Sequence, residues 1–198
     1  MTVNRFGGMC AGACLAGALL GVGAWLGGCE EKPNPVGAET SRPAGAPAPA
    51  GVTVPASLFL AQAPDAAQPV RAAKAAAKAG DRVVLVGKIG GTEDPFAPER
   101  AIFTIVDPAM PTCADNPADS CKTPWDYCCE DPDDVAASSA TVQIVGPDGM
   151  PLKVTAQNAG GLRPMSTVTV VGTVAQRDEH TLVVNATGIH VEAPKPRG

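Results

Sequence analysis

Five segments of the chain alternate apolar and polar residues with a period of two, and most of their members are Val, Ile or Thr. Successive side chains of a strand point to opposite faces, so this alternation predicts half-buried β-strands. The strands are predicted at residues 83–89, 101–106, 141–145, 167–175 and 181–185. Gly87 and Gly172 lie inside two of these segments, where glycine often marks a bulge or a sharp bend. The pattern therefore predicts a small closed barrel rather than an open sheet.

The connections between the predicted strands also carry sequence signals. The third strand is predicted to turn through a Pro-Asp-Gly sequence at residues 147–149 into residues 152–156. Residues 176–180 are predicted to form a hairpin turn between the last two strands, and residues 189–192 to extend the last one. Residues 158–164 (NAGGLRP) have no helical periodicity and predict a loop.

Four of these segments together resemble the strands of an OB-fold barrel. They are VVLVGKI at 83–89, FTIVD at 103–107, VTVVGTV at 168–174 and LVV at 182–184. The resemblance covers about 110 residues and implies an all-β fold with a five-stranded barrel at residues 81–192. It also implies that the first three strands form a meander and that the last two form the closing hairpin. The motifs GDRVVLVGKIGG and TPWDYCCE further resemble a group of exported bacterial lipoproteins, which implies no particular activity.

A short helix is predicted before the barrel, within residues 58–80. Pro69 suits the first helical position, residues 70–79 (VRAAKAAAKA) are rich in Ala, and Gly80 is placed to end the helix. The apolar face consists of Val70, Ala73 and Ala77, and the basic residues Arg71, Lys74 and Lys78 lie mostly away from it. The basic residues predict a solvated surface of a docked helix, with contact to anionic lipid as the alternative. Residues 57–61 (SLFLA) predict either an additional edge strand or a docking segment.

Residues 1–28 have the layout of a signal peptide, with Arg5 as their only charge and a long apolar run at residues 6–28. The run is followed by Cys29 in the sequence LGGC, which resembles the lipobox of bacterial lipoproteins and predicts lipidation of that cysteine. Cys14 follows a much shorter apolar run and is the weaker candidate. A retained membrane helix and plain secretion are the alternatives, because the run is about long enough to span a bilayer. Glu30 stands where Asp would favour the inner membrane, so it favours the outer membrane.

Residues 29–57 predict a disordered, extended tether, because six prolines are interspersed with Gly, Ala, Ser and Thr and no apolar face repeats. Residues 193–198 predict a disordered tail. This layout predicts a periplasm-facing lipoprotein of the cell envelope, held to the membrane by its lipid anchor. Another envelope protein is then a candidate partner, and the sequence leaves the oligomeric state open.

Charge argues against nucleic acid as a partner, although OB-folds commonly bind oligonucleotides or oligosaccharides. Residues 81–192 hold seven Lys or Arg against sixteen Asp or Glu, a net charge of −9. Phosphate recognition needs a basic surface, and single strands also need aromatic side chains for stacking. We therefore expect no binding of DNA or RNA.

The predicted barrel is interrupted by an acidic, cysteine-rich insertion at residues 107–134. Its cysteines are Cys113, Cys121, Cys128 and Cys129, with the spacing C-x7-C-x6-C-C, among eight acidic residues and one lysine. In an exported chain this pattern predicts two disulfides. A bond between neighbouring cysteines would be strained, so Cys113 and Cys121 are each expected to pair with one member of the Cys128–Cys129 pair. Such bridges would order a segment that has few apolar residues.

A metal site and a redox-active thiol pair are the alternative roles for the four cysteines. Thiolates are soft ligands that suit zinc or copper. Acidic oxygens suit calcium instead, although their order here lacks the spacing of an EF-hand. The acidic residues after the first cysteine of the insertion are Asp115, Asp119, Asp126, Glu130, Asp131, Asp133 and Asp134. The two histidines, His180 and His190, are predicted in a hairpin turn and in a strand rather than at a site.

The insertion is also the predicted binding loop. Trp125 and Tyr127 alternate around Asp126, with Glu130 close behind. The two aromatic rings are expected to pack the loop onto the barrel, with stacking on a ligand as the alternative. The sequence contains no Ser/His/Asp motif, phosphate-binding glycine loop or HExxH motif.

The sequence therefore predicts a lipid-anchored, extracytoplasmic OB-fold binding or scaffold module that is not an enzyme. Its acidic recognition loop is expected to be tied by disulfides and to need no cofactor. The alternative functions are a periplasmic metal-binding protein, with zinc or copper at the cysteines, and a thiol–disulfide redox protein.

Overall fold

The structure is a computed structural model that describes residues 51–116, 118 and 120–193. Its elements in chain order are β1 (Gln68–Pro69), α1 (Val70–Ala76), β2 (Arg82–Ile89), β3 (Ile102–Val106), α2 (Pro132–Ser138), β4 (Ser139–Gln143), β5 (Thr167–Arg177) and β6 (Leu182–Val191). The predicted signal peptide, Cys29, most of the tether, Asp119 and the end of the tail lie outside the described residues. Within the described ranges, no helix has the length and apolar character needed to cross a bilayer.

Five of the strands close into a barrel. β2 pairs with β3, β3 with β4, β4 with β6, β6 with β5, and β5 returns to β2. In this ring the β4–β6 pair is parallel and the other pairs are antiparallel. This strand order is that of a small OB-like barrel, so the predicted all-β fold, with its meander and closing hairpin, is confirmed.

Alternate residues of the strands fill the barrel with apolar side chains. In β2, Leu85 and Ile89 are fully buried, whereas Val84 and Val86 are partly exposed. Fully buried residues of the other strands are Phe103, Ile105, Val142, Val168, Val170, Val184 and Ile189. Burying one such side chain contributes about 1.5–3 kcal/mol. The barrel interior is therefore a packed core, and a ligand would have to bind to the outer faces or the ends.

Both glycines inside the predicted strands lie where another backbone approaches closely. A Cβ atom on Gly172 would lie 2.5 Å from the carbonyl oxygen of Asn185, and a register shift in the β5–β6 pair begins at this residue. A Cβ atom on Gly87 would lie 3.0 Å from the Cβ atom of Ile105. The bulge in β5 was thus marked in the sequence by its glycine.

The predictions for the third strand and for the segment after its turn, residues 152–156, are partly wrong. β4 is Ser139–Gln143 rather than residues 141–145, because α2 leads directly into it. Residues 152–156 form no strand, and beyond the turn a single bridge joins Val145 to Pro151. Proline has no N–H group to donate, so it does not extend a strand ladder.

Two further differences between the prediction and the structure concern the last strand and an additional strand before the helix. The last strand runs without a break from Leu182 to Val191, whereas the sequence predicted a gap after residue 185. A sixth strand, β1, pairs in parallel with Leu85 and Val86 of β2. Its two residues, Gln68–Pro69, are too few to show any alternation.

The segment before β1 docks on the barrel. Of the two alternatives predicted for residues 57–61, an edge strand or a docking segment, the structure shows the docking segment. Phe59 forms an isolated parallel bridge with Ile189, and the N–H of Leu60 donates to the carbonyl oxygen of Ile189 at 2.8 Å. The ring of Phe59 packs directly over Gly160, where a Cβ atom would lie 2.3 Å from it. Gly160 belongs to the 3₁₀ turn Ala159–Gly161, the single helical turn between β4 and β5 among the described residues.

α1 is shorter than predicted, and one of its basic residues, Lys74, is buried rather than solvated. The helix ends at Ala76 because Ala77 is extended, and the N–H of Gly80 then donates to the carbonyl oxygen of Val174 in β5. Lys74 is buried, and its ammonium group donates to the carbonyl oxygens of Ala136 and Ser139 at 2.6 and 3.0 Å. Burial lowers the pKa of Lys74. The prediction that Lys74 lies away from the packed face is therefore wrong.

α2 was not predicted, although its start carries a recognisable signal. The carboxylate of Asp131 accepts hydrogen bonds from the N–H groups of Asp133 and Asp134, and Pro132 occupies the first helical turn. An acidic cap followed by proline is typical of a helix N-terminus. The acidic end of the insertion is therefore the beginning of a helix and not an open loop.

The buried ammonium of Lys74 provides a test of how α1 holds α2. Lys74→Met keeps an apolar stem of similar length but leaves the two carbonyl oxygens without their donor. Such a loss costs about 1–3 kcal/mol, so the free energy of unfolding measured with urea should fall by that amount. Lys78→Met is the matched control, because Lys78 is exposed just beyond the same helix and should change stability little. Equal effects of the two substitutions would contradict this role of Lys74.

Candidate functional site

The insertion leaves the barrel at Asp107, directly after β3. The carboxylate of Asp107 is buried and accepts hydrogen bonds from the N–H groups of Arg71 at 2.9 Å and Ala109 at 3.0 Å. Its own N–H donates to the carbonyl oxygen of Ser138 at 2.8 Å. The side chain of Arg71 also reaches Ser138 and Asp134. The two ends of the insertion are therefore joined to each other and to the start of α1.

The middle of the insertion returns to the turn after β2. The carbonyl oxygen of Trp125 accepts a hydrogen bond from the N–H of Gly91 at 2.8 Å, and its indole N–H donates to the carbonyl oxygen of Glu93 at 2.9 Å. A Cβ atom on Gly90 would lie 2.4 Å from the carbonyl oxygen of Trp125, a separation that real Cβ atoms do not show. The insertion can therefore dock here only because residue 90 is glycine.

Tyr127 fixes the insertion by burial. Its side chain is 2% exposed and packs with Val106, Met110 and Val135 in a small core separate from the barrel interior. Burial raises the pKa of Tyr127 to about 12, and the hydroxyl group has no hydrogen-bond partner within the described part of the chain. The backbone of Tyr127 is left-handed, with φ of 59°, which is uncommon for a residue with a large side chain.

Asp126 organises the turn that precedes the cysteine pair. Its carboxylate accepts hydrogen bonds from the hydroxyl group of Thr123 at 2.7 Å and from the N–H of Cys128 at 2.9 Å. These two bonds lower the pKa of Asp126, because they stabilise its charged form, and the bond from Thr123 has the larger effect. Asp126 is therefore a carboxylate at neutral pH and holds the backbone of Cys128 in place.

The first cysteine is positioned by a second acidic turn. Cys113 begins the 3₁₀ turn Cys113–Asp115, and the N–H and hydroxyl groups of Thr112 donate to the carboxylate of Asp115 at 2.8 and 2.9 Å. These bonds lower the pKa of Asp115. Cys113 itself is buried, in contrast to Cys128 and Cys129, which are exposed.

The structure brings all four predicted cysteines of the insertion together. The Sγ atoms lie 3.9 Å apart in three pairs: Cys113 with Cys129, Cys129 with Cys128, and Cys128 with Cys121. The Sγ atoms of Cys113, Cys121 and Cys128 and a carboxylate oxygen of Asp126 all lie within 4.8 Å of one another. A disulfide needs about 2.05 Å between its sulfurs. These four cysteines therefore form one cluster, and the predicted cross-links between them are not seen.

Two thiols of the cluster, those of Cys113 and Cys128, are not activated. Burial, together with hydrogen bonds to Cys129 and Cys121, raises the pKa of Cys113 to about 11. The pKa of Cys128 is also raised, first by its hydrogen bond to Asp126 and then by that to Cys121. A redox-active or nucleophilic cysteine needs a lowered pKa, because the thiolate is the reactive form. The geometry therefore gives no support to the redox alternative.

Two concave surfaces lie beside the cluster. One, of about 270 Å³, lies next to Cys113, Asp115 and Cys129. The other, of about 420 Å³, lies between the insertion and α2 and is lined by Cys128 among others. Tyr127 and Glu130 line both cavities. Of the other two residues predicted for the binding loop, Asp126 lines the second cavity and lies beside the sulfurs, whereas Trp125 lines neither cavity and instead fixes the loop to the turn after β2.

The two histidines lie apart from the cysteine cluster, as the sequence indicated. His180 is an exposed residue of the turn between β5 and β6. His190 lies in β6, where its Nδ1 atom is 3.0 Å from the carbonyl oxygen of Leu60. Within the described ranges, the group of side chains whose geometry could hold a metal ion contains neither of them.

The sequence did not identify the residues other than cysteine that hold the loop in shape. Thr112 and Thr123 each lie three residues before an aspartate, a spacing at which a hydroxyl group can reach the carboxylate of a tight turn. Gly90 and Gly91 directly follow the strand predicted at residues 83–89, and in the sequence they mark only its end. Their second role depends on a contact with Trp125, 35 residues away in the case of Gly90, that no local pattern encodes.

Neither a protein-family model nor a curated protein matches the chain. Among solved structures, the chain is similar to the telomere capping protein Ten1 from Saccharomyces pombe, with 12% sequence identity and a TM-score of 0.30. The match covers 64% of this chain and 80% of that one. A likeness this distant carries no argument about function, and the resemblance to exported lipoproteins stays a prediction.

Gly90→Ala tests whether the loop depends on its contact with the turn after β2. The added methyl group would collide with the backbone of Trp125, so the insertion should detach while the barrel keeps its β-sheet circular dichroism. We expect a loss of about 1–3 kcal/mol in the free energy of unfolding and faster proteolysis within residues 111–131. Gly51→Ala is the control, because a Cβ atom there meets no other atom within 4 Å. Unchanged proteolysis of the Gly90 variant would contradict the docking.

Proposed function

We propose that this protein is a non-catalytic binding module of the bacterial cell envelope, in which an OB-like barrel supports the cysteine loop (residues 107–131) as its binding surface. The observation that carries this proposal is the placement of the two cavities, both of which border the cysteine loop. The barrel interior supports the same assignment, because it is filled by its own side chains.

The fixed shape of the loop also supports a role in binding. Its backbone is held at Asp107, at Trp125 and at the turn of Asp126, and Tyr127 is buried beneath it. A surface that is ordered before it meets a partner loses less conformational entropy on binding. Cys128, Cys129 and the edge of Glu130 remain accessible on this surface. Its acidic character favours a partner with a basic or neutral surface over a nucleic acid.

The location is proposed from the sequence. The apolar run before Cys29 and the proline-rich segment after it support a lipid anchor followed by a spacer. A spacer of this kind would let the barrel reach another protein of the envelope while it stays attached to a membrane, with the outer membrane favoured by Glu30. The partner in this proposal is therefore a protein in the same compartment.

Site-specific crosslinking in cells of the native host would test the binding surface. A photoreactive amino acid at Glu130 of the full chain should give a discrete adduct with an envelope protein. The matched control is the same amino acid at Thr173, an exposed residue of β5. No adduct at Glu130, or the same adducts at both positions, would contradict the proposal that the loop is the binding surface.

Cys29→Ala tests the anchor. The variant should not incorporate labelled fatty acid and should leave the membrane fraction, because lipidation requires the thiol group. Cys14→Ala is the matched control, since this cysteine is the weaker candidate, and it should remain membrane-bound and labelled. If the Cys29 variant stays in the membrane fraction, the apolar run is a retained helix and the lipoprotein assignment is wrong.

A further inference from the structure

We propose that Cys113, Cys121, Cys128 and Cys129 form a tetrahedral binding site for one zinc ion, and that the ion fixes the shape of the cysteine loop. The positions of the sulfur atoms, the turn at Tyr127 and the hydrogen bonds of Asp126 support the site. Its role in presenting a binding surface rests on the proposed function.

Three of the six separations among the four sulfurs fit a metal-centred tetrahedron. Four thiolate sulfurs at about 2.3 Å from a tetrahedral zinc ion are about 3.8 Å from one another. The three shortest separations given by the structure are 3.9 Å each. Cys128 has two sulfur neighbours at this distance, Cys121 and Cys129, and Cys129 also has two, Cys128 and Cys113. The sulfurs therefore form one continuous set rather than two separate pairs, which is the arrangement expected around a shared ion.

The neighbouring pair Cys128 and Cys129 contributes both sulfurs to this set, which an extended chain would not allow. Successive side chains of an extended backbone point to opposite sides. The left-handed conformation of Tyr127 turns the chain immediately before the pair, and the two Sγ atoms lie only 3.9 Å apart. Burial of the Tyr127 ring holds this uncommon conformation in place. The convergence of the two thiols therefore explains why Tyr127 has this uncommon backbone conformation.

Cys129 rather than Asp126 completes the ligand set. One carboxylate oxygen of Asp126 lies within 4.8 Å of three of the sulfurs, but both oxygens already accept hydrogen bonds, from Thr123 and from the backbone of Cys128. Asp126 is therefore a positioning residue that orients a ligand from outside, as the partners of metal ligands commonly do. On the opposite side, Thr112 and Asp115 hold the turn that carries Cys113.

Four thiolate ligands favour a soft cation that prefers tetrahedral coordination. Four thiolates are the usual donors of structural zinc sites, whereas calcium and magnesium require oxygen donors. The ligands come from the beginning, middle and end of the insertion, so a single ion would close it into two short loops. This is the ordering role that the sequence predicted for disulfides, achieved here without oxidation.

Metal analysis of the full chain tests the site. The protein is isolated in mild detergent under an inert atmosphere, without reductant or chelator, and zinc is measured by mass spectrometry. We expect one zinc ion per chain and, after replacement by cobalt, the strong sulfur-to-cobalt charge-transfer absorption of a tetrathiolate site. Cys128→Ser should lower zinc affinity by at least about tenfold, and because Cys128 is exposed the barrel should still fold. Cys113→Ser, at the buried ligand, should have the same effect on affinity.

Asp133→Asn is the control for the acidic character of the loop. Asp133 is exposed in α2, so its charge can be removed without touching the cluster, and zinc affinity should be unchanged. A four-hydrogen mass deficit at these four cysteines in freshly isolated, zinc-free protein would overturn the proposal in favour of disulfides. Retention of zinc by a chain that carries both Cys128→Ser and Cys129→Ser would overturn it as well.

The crosslinking experiment separates this inference from the proposed function. Loss of the Glu130 adduct in the Cys128→Ser variant would support zinc as the element that shapes the binding surface. An unchanged adduct in that variant would overturn this role and leave the binding function intact. Stoichiometric zinc in a chain that gives no Glu130 adduct would overturn the proposed function and leave the metal site intact.

Discussion

Hydrogen bonds from the barrel and α1 to the backbone of the insertion are the interactions on which the rest of this structure depends. The insertion has only a few apolar residues, so it has little hydrophobic driving force to fold by itself. Lys74 and Arg71 hold its final helix, and the turn at Gly90 and Gly91 holds its middle. Lys74 and Gly91 donate to main-chain carbonyl groups, whereas the side chain of Arg71 donates to the side chains of Ser138 and Asp134. The position of the loop therefore depends on residues outside it as well as on its own Asp107, Trp125 and Tyr127 side chains.

The barrel was predictable from sequence because its signals are local. Alternation in β2, β3 and β5 reports burial on one face, and Gly172 marks a bulge within its own strand. The misjudged parts depend on contacts between distant residues. The burial of Lys74 is decided by carbonyl groups more than 60 residues away, which the Ala-rich helix pattern cannot show. The helix that starts at Pro132 was obscured by the acidic composition around it, because the same aspartates suit a cap and a solvated loop.

The sequence predicted which cysteines belong to the candidate site, but not how their sulfur atoms are arranged. The four cysteines of the insertion could be identified from their clustering along the chain, and their spacing allowed several pairings. Only the structure shows that the turn at Tyr127 brings both neighbouring thiols into one cluster with the other two sulfurs. The supporting residues Thr112 and Thr123 act through hydroxyl–carboxylate bonds inside tight turns. Such bonds become recognisable once the turns themselves are known.

The concentration of aromatic residues in the loop has a spectroscopic consequence. Beyond the N-terminal apolar run, Trp125 is the only tryptophan, and Tyr127 is the only tyrosine of the whole chain. Both lie in the insertion, one hydrogen-bonded to the turn after β2 and the other buried beneath the cysteines. The barrel itself contributes no indole or phenol chromophore. Tryptophan and tyrosine fluorescence of the folded domain therefore reports on the loop alone, while far-ultraviolet dichroism reports mainly on the strands.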